Sequence, residues 1–83
     1  MFDIRLFELI KEMRETQQQI EGKLISMAQE NFVDKGKVGK TIKLIDYQVV
    51  IILELMKYGI ADNSHYETIL QNLYGMRTIL ESV

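Results

Sequence analysis

The chain contains no cysteine, no proline and no tryptophan, and a single histidine. Without cysteine there is no disulfide framework, no thiolate zinc site and no cysteine nucleophile, so a small domain must gain its stability from packing or association. The absence of proline removes the strongest helix breaker. His65 follows Ala61-Asp62-Asn63 and Ser64, residue types that serve turns and helix caps, so we expect no metal corner with Asp62. Long apolar runs are also scarce. The longest, Val49 to Leu53, is far too short to cross a bilayer. Asp3 and Glu8 stand where a secretory leader needs basic and then unbroken apolar residues. These features point to a cytoplasmic protein with no membrane span.

What is present is globular in character: 83 residues, 47% hydrophobic and 27% charged. We expect one helical domain, 1–83, whose lone chain buries only about 60% of its unfolded surface. The net charge of −2 is unevenly spread. Residues 34–43 carry Lys35, Lys37, Lys40 and Lys43 against Asp34, between two mildly acidic stretches.

A first helix is expected over 3–33. Asp3 is a good N-cap, and Phe2 and Phe7 suit a hydrophobic staple. Leu6, Ile10, Met13, Gln17, Ile20, Leu24, Met27 and Asn31 then recur at alternating spacings of four and three, a heptad seam. Gln17 and Asn31 read as register markers on that seam or as solvated positions. Arg14 to Gln19 lacks an apolar residue and Gly22 follows, but Gly22 falls on the outer face, so the helix is read as continuous. At about 45 Å it should overhang the later helices.

Residues 34–41, DKGKVGKT, read as a basic loop. The next helix, 42–59, is the oiliest. At 100° per residue its apolar side chains cover roughly 240° of arc, against about 100° for a surface helix. Gln48 is the sole polar side chain inside that arc. The β-branched residues of Thr41–Leu53 admit a strand, but Ile45, Val49, Ile52, Met56 and Ile60 keep helical spacing, and Gly59 suits a left-handed stop. A third helix over 64–82 opens with the Ser64–Glu67 capping box. The fold class is therefore all-α: a long N-terminal helix and a C-terminal helical hairpin, three helices assembled as an oligomeric bundle.

Candidate chemistry is thin. Gly39-Lys40-Thr41 looks like the end of a phosphate-binding loop, but Asp34 occupies the leading glycine position and no buried strand precedes it. Glu8, Glu12, Glu15 and Glu21 fall mostly on outer faces, with Lys11 and Glu15 placed to pair. No nucleophile, base and oxyanion donors assemble. We expect no catalytic, cofactor or metal site. The mixed-charge polar face of the first helix argues against membrane-surface binding. Tyr47 and Tyr58 suit an interface edge or a core rim, and the methionines on apolar faces suit core filling first.

The expected function is thus a non-catalytic protein–protein interaction module: a small homo-oligomeric regulator, inhibitor or assembly adaptor with a further protein partner. A dimer is expected, held by Leu6, Ile10, Met13, Ile20 and Leu24, with Ile51, Leu55 and Tyr58 close by. The alternative is a nucleic-acid-binding regulator in which Lys35, Lys37, Lys40 and Lys43 contact phosphates, or an acidic protein. It is the weaker reading because no arginine or aromatic side chain is interleaved to read or stack bases.

Overall fold

In the computed structural model, which describes residues 3–59 and 62–83, three helices follow one another: α1 (Ile4–Ala28), α2 (Lys35–Met56) and α3 (Asn63–Glu81). No strand occurs among the described residues, and Thr41–Leu53 is wholly helical. α1 starts as expected, with Asp3 accepting from the Leu6 amide at 3.2 Å. The Phe2–Phe7 staple lies outside the described residues. α1 is unbroken through Arg14–Gly22, since a single glycine costs only about 1 kcal/mol in a helix otherwise anchored by packing.

Helix boundaries depart most from expectation at the α1–α2 turn. α1 ends at Ala28, and Asn31 lies beyond it, exposed. The lysine-rich segment is no loop; it forms the first two turns of α2. Asp34 is the N-cap, its Oδ1 accepting from the amides of Gly36 (3.0 Å) and Lys37 (3.2 Å). Such a cap contributes about 1 kcal/mol and offsets part of the cost of Gly36 and Gly39. The buried face then carries the helix back: Val38 and Thr41 extend the Ile45, Gln48, Ile52, Leu55 row at spacings of three and four. Lys37 closes the turn by reaching Ser26 Oγ (3.0 Å) and Glu30. With α1 at 25 residues and α2 at 22, the expected overhang does not arise.

Gly59 adopts φ +65° after α2, the left-handed conformation expected of it. α3 begins two residues earlier than the capping box implies. Asp62 is its N-cap, accepting from the Ser64 amide at 2.9 Å, which places Ser64 inside the helix.

α2 is the central element. The contacts Arg5–Glu54, Glu12–Tyr47, Met13–Gln48 and Ser26–Lys37 run in opposite sequence directions, so α1 lies antiparallel to α2. α3 returns along α2 on its other side, with Arg77 on Asp46 (2.7 Å) and Val83 beside Val38. No Cα of α1 comes within 8 Å of one in α3. Most of the wide apolar arc of α2 is thus covered by two helices whose backbones stay apart, with Tyr47 and Leu53 at its margins exposed. The molecule is elongated, 50 × 22 × 16 Å, with a radius of gyration of 14.2 Å, against about 12 Å for a compact domain of this length.

Candidate functional site

Because the backbones of α1 and α3 each approach only α2 closely, an open groove runs between them. Its volume is about 330 Å³. Met13, Arg14 and Gln17 of α1 form one wall, Ile69, Asn72, Leu73 and Met76 of α3 the other, and Gln48 and Ile52 of α2 lie between them. The helical period explains the wall. The fully buried side of α1 is Leu9, Thr16 and Ile20, whereas the heptad seam is centred about 50° further round. Leu6, Ile10, Met13, Gln17 and Leu24 are consequently only half-buried. One side of the seam meets the subunit's own core and the other is open.

Gln48 is the unusual residue. It is 1% exposed in the middle of an apolar helix face. Its Nε2 donates to the Met13 carbonyl at 2.9 Å and lies 3.5 Å from Gln17 Oε1. Its Oε1 is buried and has no donor, a loss of about 1–3 kcal/mol for such an atom. Gln17 in turn donates to Glu21 at 3.3 Å.

The residues expected to mediate self-association separate into two groups. Ile20, Ile51 and Leu55 are 0%, 2% and 0% exposed; they belong to the subunit's own core, because α1 turns Ile20, and α2 turns Ile51 and Leu55, toward helices of the same chain. Leu6, Ile10, Met13, Leu24 and Tyr58 are half-buried. Ile4, Phe7, Ile25 and Ile79 add exposed apolar area on α1 and α3. Sequence reasoning missed the α3 wall of the groove, and it marked Gln48 as the lone amide of an apolar arc without assigning it to a site.

The lysines do not form a single patch. Being helical, Lys35, Lys37, Lys40 and Lys43 point in directions spread over roughly 200°, and Lys37 is engaged by Glu30 and Ser26. Tyr47 donates to Glu12 at 3.0 Å, and that hydrogen bond, with partial burial, pushes its phenol above the usual range. The Asp62 carboxyl is held below its usual range by hydrogen bonds from Ser64. His65 is exposed in the first turn of α3, its ring 6.1 Å from that of Tyr66. Among the described residues no three His, Asp or Glu side chains gather where a metal ion could be held, and no helix is long and apolar enough to cross a membrane. No protein-family model matches the chain, and comparisons with curated proteins and with solved structures likewise give no significant match.

Proposed function

We propose that this chain is a non-catalytic protein–protein interaction module of the cytoplasm, a small homo-oligomeric regulator, inhibitor or assembly adaptor that works through apolar helical surfaces. The observation that carries this reading is the half-covered row Leu6, Ile10, Met13 and Leu24 on α1, of which Met13 lines the open groove beside Arg14 and Gln17. Apolar residues in helical register with one side uncovered are what a second helix needs for docking. Groove-lining side chains are mostly apolar or neutral amides, with Arg14 the charged exception, a set suited to packing and not to acid–base chemistry. A nucleic-acid reading draws less support, since the lysines diverge around α2 and one is already paired.

Light scattering coupled to size exclusion tests the reading. The expected mass is twice the 9.7 kDa of one chain. A well-folded monomer that persists as concentration rises would remove it.

A further inference from the structure

We infer that the groove between α1 and α3 receives α1 of a second copy of this chain, antiparallel to its own α1, with the two-fold axis passing near Gln17. This deepens the self-association proposed above and rests on it. Three observations support that occupant.

The first is area. The chain exposes 5857 Å², whereas a compact monomer of 9.7 kDa exposes about 5,100 Å². The surplus, roughly 700 Å², is close to the ~800 Å² that each partner contributes to a standard stable interface.

The second is self-complementarity, which a two-fold contact requires. Pairing α1 antiparallel about Gln17 sets Ile10 against Leu24 of the second copy. It also sets Arg14, exposed on the groove wall, beside Glu21 of the second copy, an opposite charge. Both pairs then recur on the other side of the axis. A parallel pairing in register would instead leave Arg14 and Glu21 of the second copy about 10 Å apart along the axis and form no such pair.

The third is the unpartnered Gln48 Oε1, buried beside the groove next to Gln17. An antiparallel α1 centred on Gln17 brings a second Gln17 amide to that level, where a shift of the buried Gln48 side chain toward the groove gives its acceptor a donor. A lone amide acceptor in an apolar seam also penalises shifted alignments, because any other register leaves it unsatisfied.

Cysteine cross-linking tests the geometry cleanly, since the native chain has no thiol. Under mild oxidation Gln17→Cys should accumulate as a disulfide-linked dimer. Ile10→Cys alone should not, because two copies of position 10 lie about 21 Å apart along the antiparallel pair, and a disulfide needs Cα atoms within about 7 Å. An equal mixture of two surface variants, Arg14→Cys and Glu21→Cys, should form the mixed disulfide in preference to either self-linked product, which guards against a folding defect at position 17. Self-linking of Ile10→Cys would overturn the antiparallel arrangement. If the native chain is a dimer by light scattering but neither Gln17→Cys nor the mixture cross-links, the interface lies elsewhere and only this inference falls. If the native chain is a monomer, both readings fall.

Discussion

The assignment of Lys35–Thr41 to helix makes a sharp thermodynamic prediction through its glycines. Gly39 sits in the second turn of α2, and a Cβ built there meets nothing within 4 Å. Replacing it with alanine should therefore yield the full helix-propensity difference, about 0.8–1 kcal/mol. Gly22 in α1 and Gly75 in α3 are equally open and should gain as much. Lying on three different helices, the three changes should add to about 2.5–3 kcal/mol. Gly36 is the internal control. Its added Cβ would stand 3.2 Å from Asp34 Oδ1, the oxygen that caps α2, so displacement of the cap should cancel the gain. Gly59, at φ +65°, should lose about 1 kcal/mol on the same substitution because a Cβ is strained there. Urea unfolding at one fixed chain concentration reads these values. Thermal melts should move by about 4–8 °C per kcal/mol for a domain of this size. The decisive comparison is Gly39 against Gly22 and Gly75. If Gly39→Ala is neutral or destabilising while the other two stabilise, residues 35–41 are not helical and the capping argument is wrong.

Other outcomes follow from the same contacts. Asp34→Ala should lower stability by about 1 kcal/mol while Asp34→Asn retains most of it; equal losses in urea unfolding would mean that charge, not capping, matters there. Ile52 is fully buried, so Ile52→Ala should cost 2–5 kcal/mol, and a loss well under 1 kcal/mol would show that α3 is not docked on α2. Asp62 has a depressed folded pKa, so its contribution is present above its unfolded value and is lost as pH falls through the folded one. Asp62→Asn, a cap that does not titrate, should flatten the acid limb of stability against pH, and an unchanged limb would count against the Asp62 cap.

Much of the fold was legible because it follows from periodicity. Leu9, Ile20, Ile45, Ile52, Leu55, Leu70 and Leu73 are apolar at helical spacing, and all are buried. Asp3 and Gly59 behave as local chemistry requires. The α1–α2 turn was misread because two glycines and three lysines before Thr41 outweighed, in local terms, one capping aspartate and the row begun by Val38. The β-branched residues of α2 gave an ambiguous local signal, and packing on two sides resolved it. Within the candidate site, the α1 wall was visible as the heptad seam. The α3 wall was not, since nothing in the helical spacing of Ile69 and Met76 separates a groove wall from a core position.

From the residue order alone came three helices, the excess of oily surface on the middle one, and the exclusion of cysteine chemistry, because each depends only on residue type and on spacing within one segment. Only the tertiary arrangement decided what covers that surface. The flanking helices sit on different sides of α2, with no Cα of one within 8 Å of the other; this encloses Ile51 and Leu55 within the subunit and leaves Met13 and Gln17 of the α1 seam, with Gln48, beside an open groove. Periodicity defines the face a helix presents. Which neighbour meets that face depends on turn direction and on side-chain fit between distant segments, and neither is written in a local pattern.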